Sequence, residues 1–239
     1  MLNLKRIIPP LVLFTLFANA GCAPRSGDNS VTETSIQSST TTIQMGQYNL
    51  YRDNGRALRW DTCAGPINVA ANLGNSSSSF RNEAVRAISS AIGEISDQSG
   101  LPLIYAGSTS QVPELNRERN DRIGSSALLI AFLPSGTGLL VNGRNGSVVV
   151  QSSSRLRSDS WSEILTFDVQ VNSESIFSIN DIEPFVKRGL LYAIGLDGVD
   201  SRNEVMGKDS LGFPSLLREF GPGDLLGMKT VGTTQGCFE

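Results

Sequence analysis

The sequence predicts an α+β fold, a mixed twisted sheet with a long helix and a second, apolar helix packed on it, from three observations. Phe80, Ala84, Val85, Ile88, Ala91, Ile92 and Ile95 fall on one stripe at helical spacing. Ala127–Phe132 and Ser147–Val150 are short apolar runs between glycine-rich turns, as in strands covered on both faces. Val186, Leu190, Ala193 and Ile194 again recur at helical spacing, ahead of Gly195, where a left-handed residue would end the helix. Strands, a helix, more strands and a further helix are the order of a sheet with helices packed on it.

At the N-terminus, Lys5 and Arg6 precede an apolar run from Ile7 to Ala18 that is too short for a mature membrane anchor and has the layout of an export signal. Two processing sites compete. Ala18-Asn19-Ala20 suits an ordinary signal peptidase, whereas Asn19-Ala20-Gly21-Cys22 is similar to a bacterial lipoprotein signal with Cys22 acylated, although Asn19 replaces the usual aliphatic residue. Residues 1–22 are therefore expected to be an export signal and 23–47 a Ser/Thr-rich tether that buries too little apolar surface to fold. The remainder, 48–239, is long enough for one domain with a sizeable core.

Within that domain, Ile67 and Val69 share one face of a short strand. The long helix follows, with Ser79 as its expected N-cap and Gly100 past its end. Leu103-Ile104-Tyr105 reads as a strand, and Glu114 to Arg122 as a charged, solvated connector. Between Ser160 and Asn172 the alternation of Leu165, Phe167, Val169 and Val171 favours a strand, while Trp161–Leu165 also fits a helix. Asn180 or Asp181 is placed to cap the second helix, with Pro184 in its first turn, where a missing N–H costs little.

Composition narrows the function. The chain has 20 basic and 23 acidic side chains, and without Lys5 and Arg6 the balance is 18 against 23, or −5. Nucleic acid is therefore not an expected partner, and contact with a membrane is expected through the lipid anchor alone. There is no histidine.

The segments that carry a family signal are Trp60-Asp61-Thr62-Cys63-Ala64-Gly65-Pro66-Ile67, Ser99-Gly100-Leu101-Pro102-Leu103-Ile104-Tyr105-Ala106-Gly107, Gly195-Leu196-Asp197, Asn203-Glu204-Val205-Met206, and Gly223–Met228 before Gly236-Cys237. In this order, over residues 58 to 239, they resemble the catalytic domain of matrixin-like metzincin zinc peptidases of the bacterial secreted or lipoprotein type. The resemblance implies a metzincin-like sheet, an active-site helix and a short C-terminal helix. The family motif H-E-x-x-H-x-x-G-x-x-H puts two imidazoles on one helix face to grip zinc, with the glutamate between them as general base and a methionine turn below. Laid on this chain, the glycine falls on Gly195 and the methionine on Met206, but the chemical positions become Arg188, Gly189, Tyr192 and Gly198. Arg188 brings a fixed positive charge, Gly189 offers no base, and Gly198 has no side chain. The stretch Ser152–Ile179 is longer than the family usually has.

With Cys22 assigned to lipid, Cys63 and Cys237 remain as a pair for an oxidising compartment, or as two separate thiols. The expected function is thus a catalytically inactive, metallopeptidase-like protein of the cell envelope or secreted, with no catalytic residue, metal ligand or cofactor, binding an unidentified protein or peptide. Two other readings stand beside it. One is an active hydrolase with oxygen ligands from Glu183, Asp197, Asp200 or Glu204, which has no Ser-x-x-Lys motif to support a serine nucleophile. The other is a purely structural envelope lipoprotein. Arg188 and Tyr192, four apart, face the vacated metal position together, where they either hold an anionic group or serve only local pairing and packing.

Overall fold

The computed structural model describes residues 46–74, 76–114, 127–141, 146–208 and 213–238, all of which belong to one compact unit. The export signal, Cys22, most of the tether and most of the charged connector lie outside the described residues.

Runs of branched and aromatic residues become the sheet. Strands β1 (Asn49–Leu50), β2 (Arg52–Asp53) and β3 (Arg56–Arg59) come first. They are followed by β4 (Ile67–Asn72), helix α1 (Ser78–Ser99), β5 (Leu103–Ser108), β6 (Leu128–Leu133), β7 (Val148–Leu156) and β8 (Trp161–Asn172). Strands β5, β4, β6 and β8 lie side by side in parallel, and β7 runs antiparallel along the far side of β8. Strand β3 pairs in parallel with the start of β8, at Ala57–Arg59, and β2 folds back on β3. The sheet is therefore mixed, as the sequence predicts. Every residue of β6 is buried, as its unbroken apolar run requires, whereas Val148–Val150 of β7 are only half-buried, β7 pairing with β8 alone among the described residues.

The stretch from Trp161 is strand throughout. Pairing with β7 decides the ambiguity over Trp161–Leu165, because the hairpin supplies the ladder that a lone segment lacks, with a bulge at Leu165 between Ile164↔Ser154 and Thr166↔Ser153. The extra length after Ser152 is thus a long hairpin, then short 3₁₀ turns at Ser173–Ser175 and Ile179–Asp181.

Helix α1 buries Ala84, Ile88, Ala91, Ile92 and Ile95 of the predicted stripe, and Ala87 beside them, while Phe80 and Val85 are half-buried. Its N-cap is Ser77, which accepts from the Phe80 N–H at 3.3 Å, and not Ser79. The apolar stripe alone does not choose within the run Ser76–Ser79. Gly100 closes the helix at φ +73°, donating to the Ser96 carbonyl at 2.8 Å. Helices α2 (Ile182–Ala193) and α3 (Pro222–Val231) both pack on α1, and α2 also packs on β7 and β8. The short strand β9 (Leu196–Asp197) follows α2 and pairs with β1. The last residues of the expected tether pack on the domain: Gly46 and Gln47 press against Pro222 and Gly223 so closely that a Cβ on either Gly46 or Gly223 would lie 1.9 Å from the other segment's backbone. Cys63 and Cys237 form a disulfide, Cα to Cα 5.3 Å, across 174 positions of sequence.

Candidate functional site

Helix α2 is apolar enough that all its residues except Glu183 and Tyr192 are buried. Ser178 caps the turn leading into it, accepting from Asn180 N at 3.2 Å, and Pro184 sits in its first turn. Its end is fixed by three bonds: Ile194 N to the Leu190 carbonyl at 3.0 Å, Gly195 N to the Tyr192 carbonyl at 3.0 Å, and the Trp60 indole N–H to the Ala193 carbonyl at 2.8 Å. Gly195 has φ +108°, and a Cβ there would stand 2.2 Å from the Leu58 carbonyl oxygen, so only glycine fits.

Past β9 the chain turns back. Val199 N donates to the Met206 carbonyl at 3.0 Å, and the turn Glu204–Gly207 closes with Gly207 N on the Glu204 carbonyl at 2.9 Å. Met206 is buried in this turn. The turn is riveted to α3 from both sides. The buried Glu204 carboxylate accepts from Gly223 N at 2.9 Å and Asp224 N at 3.0 Å, while the buried Asp224 carboxylate accepts from Val205 N at 2.5 Å, Met206 N at 3.2 Å and Gly221 N at 3.0 Å. Burial, and to a smaller degree the neighbouring Glu204, pushes the Asp224 carboxyl above its ordinary range against the pull of those N–H donors.

Three of the four motif positions, Arg188, Tyr192 and Gly198, come together over this turn. Arg188, 7% exposed, donates through Nη1 to the Val205 carbonyl at 2.9 Å and the Gly207 carbonyl at 2.7 Å. Its Nη2 lies 3.4 Å from the Tyr192 hydroxyl, and its guanidinium stands 5.6 Å from the centre of the Tyr192 ring. A Cβ on Gly198 would lie 3.4 Å from that hydroxyl and 3.6 Å from Arg188 Nη2. Tyr192 also packs edge-on against Tyr51, centroids 6.3 Å apart. The pairing of Arg188 and Tyr192 on one face is as the sequence predicts; the two carbonyls that receive the guanidinium are not, because backbone acceptors leave no mark in a sequence. Gly189 faces the sheet: a Cβ there would lie 2.7 Å from Val169 Cγ1.

A zinc ion does not fit this donor set. At the positions on which the motif falls when laid on the sequence, Arg188 carries a guanidinium already bonded to carbonyls, Gly198 has no side chain, and a Cβ at Gly189 would already crowd Val169. The carboxylates considered from sequence are spent separately. Glu183 pairs with Lys187 at 3.2 Å, Asp197 accepts from Gly198 N at 2.7 Å as a turn residue, Asp200 pairs with Lys208 at 3.3 Å, and Glu204 holds α3. Among the described residues, the one grouping with metal-ligating atoms close together is Asp61, Cys63 and Cys237, and its two sulfurs are bonded to each other.

No protein-family model matches the sequence, and no curated protein does. Among solved structures, the chain is similar to an archaemetzincin from Methanopyrus kandleri, at 14% identity and TM-score 0.43 over 70% of this chain and 94% of that one. It is also similar to metalloproteinase-II from Bacteroides fragilis, at 10% identity and TM-score 0.41, over 78% of this chain and 58% of that one. At TM-scores below 0.5 neither likeness tells what the site does, and its chemistry follows from its own residues.

Proposed function

We propose that the chain is a metallopeptidase-like protein of the matrixin-like kind that has exchanged catalysis for binding, exported and tethered at Cys22. The observation that carries this reading is the Arg188 guanidinium, seated between α2 and the methionine turn on the Val205 and Gly207 carbonyls. A fixed cation on the chain itself cross-links helix and turn there. Binding needs none of the lost ligands: β7 pairs on one side with β8, and its Val148 side chain stands beside Gly189, so an extended peptide added to its other edge would run past the site through backbone hydrogen bonds.

Elemental analysis of the purified chain, with a protease assay on casein, tests this. The expected result is no stoichiometric zinc and no cleavage, with casein-derived peptides still bound. One tightly held zinc per chain, or hydrolysis that a chelator abolishes, overturns it.

A further inference from the structure

The carboxyl ends of the parallel strands carry a second feature that involves neither α2 nor the methionine turn. From β4 the chain passes through α1 to β5 on one side, then returns to β6 on the other side of β4. Where the connections diverge, between the ends of β4 and β6, a crevice of about 840 Å³ opens, the position at which open parallel sheets take ligands. One wall is set in advance. The buried Asn72 amide donates to the Gln111 carbonyl at 2.8 Å and accepts from Gly74 N at 2.9 Å.

Arg81 is the one charged side chain among the described residues that line this crevice. Its Nε donates to the Ser76 carbonyl at 3.0 Å, which fixes the guanidinium, and no carboxylate among the described residues stands within ion-pairing distance. Its place is also unfavourable by itself, in the first turns of α1, where the helix dipole opposes a cation and where the first turn has no acidic residue to offset it. The rest of the lining combines serine hydroxyls, at Ser108, Ser110 and Ser173, with the apolar surface of Phe132 and Leu133. A second depression of about 400 Å³ shares Ser76 and Ser173 with the first and has no charged lining residue. Its rim is Phe177, which is 92% exposed.

A cation with no carboxylate partner among the described residues, several hydroxyls and a bare aromatic face, in two depressions that adjoin at Ser76 and Ser173 to form a groove, match a ligand with one negative group, several hydroxyls and a flat apolar side. We propose that this groove binds an acidic saccharide, its carboxylate on Arg81, its ring hydroxyls on Ser108, Ser110 and Ser173, and its apolar ring face on Phe177. A neutral sugar leaves the guanidinium unanswered, and a purely apolar ligand leaves the hydroxyls unpaired.

Saturation-transfer NMR on the full chain, with glucuronic acid and glucose as probes, tests the proposal. Glucuronic acid is expected to bind saturably and about tenfold more tightly than glucose, the factor expected of one charge-assisted contact. R81A should abolish that difference, F177A should weaken both sugars, and S110W should fill the groove and remove binding without lowering the melting temperature. Equal binding of the two sugars, no saturable binding of either, or a preference that survives R81A overturns the proposal. So does inorganic phosphate that displaces glucuronic acid at equal concentration, which would leave a generic anion site only. Metal content and casein binding play no part in these readouts, so the proposal stands or falls apart from the peptidase-like reading.

Discussion

Arg188 is a buried cation whose partners are carbonyl oxygens, which explains how a charge is tolerated inside an apolar helix: Nη1 satisfies two acceptors while the ring of Tyr192 covers its flank. Among the described residues the Val205 carbonyl accepts from Arg188 alone, whereas that of Gly207 also accepts from Ser215 N at 2.8 Å. Arg188→Ala should therefore destabilise the fold by roughly 2–4 kcal/mol, through an unsatisfied buried acceptor plus a cavity. Arg188→Met, which keeps the volume, should recover the packing share only. Urea unfolding of both variants checks this, and equal loss in the two would mean that packing contributes nothing. At Gly189 two effects oppose each other. Alanine gains about 1 kcal/mol of helix propensity, but its Cβ would stand 2.7 Å from Val169 Cγ1, and overpacking typically costs about 1–3 kcal/mol. The clash should win, so Gly189→Ala is expected to destabilise and Val169→Ala to rescue it in a double-mutant cycle; additive effects would refute the contact. The shared face of Arg188 and Tyr192 was legible from their spacing of four. The obstacle at Gly189 was not, because Val169 comes close only through tertiary packing.

Among elements, the joint between the methionine turn and α3 sets the level of the site. Glu204 satisfies N–H groups at the start of α3, and Asp224, inside that helix, satisfies N–H groups of the turn, so each element is the other's cap. The Asn203–Met206 segment and the Gly223–Met228 segment both stand out in the sequence, yet their mutual bonding does not, since nothing local links positions 20 residues apart. The two long helices and the strands β4, β6 and β8 were legible because periodicity is a local property. Strand β7 was legible only in its apolar start, Val148–Val150, because Gln151–Arg155 carry no apolar alternation and are strand only through pairing with β8. The joint has a pH signature. Asp224 has its carboxyl raised in the folded state above the ordinary value of 3.8, so the folded chain holds that proton more tightly than the unfolded chain. As pH rises through the window that starts near 3.8 and ends at the raised value, Asp224 loses a stabilising proton, and its contribution to stability falls. The stability of the native chain minus that of Asp224→Asn should accordingly decline with rising pH across that window, measured by urea unfolding in a pH series. A difference that climbs instead would mean that the N–H donors outweigh burial.

Across the whole described unit, three ties hold the segment Tyr51–Cys63 against the C-terminal half. The Trp60 indole caps α2 at Ala193, the Tyr51 N–H meets the Gly195 carbonyl at 2.8 Å, and Cys63 is bonded to Cys237. Counting cysteines leaves a pair or two separate thiols open, and the bond seen in the structure decides for the pair. The polar clasp beside it has no sequence signal: Arg59 Nη1 donates to the Gly236 carbonyl at 2.8 Å, its guanidinium stacks 3.7 Å from the centre of the Phe238 ring, and Asp61 accepts from Phe238 N at 3.3 Å. These contacts are expected to hold the tail whether or not the sulfurs are joined, so the disulfide should act mainly on the unfolded chain, where a closure of this length is worth about 5 kcal/mol in the chain-entropy model. Reduction should lower the urea midpoint and raise the m-value, because the unfolded ensemble expands. The Phe238 amide should meanwhile keep its folded-state hydrogen-exchange protection under native conditions, and Arg59→Ala combined with reduction should release it. If reduction alone frees the Phe238 amide while the midpoint stays put, the bridge is a local latch on the tail, and the clasp of Arg59 and Asp61 adds nothing that the covalent bond does not already supply.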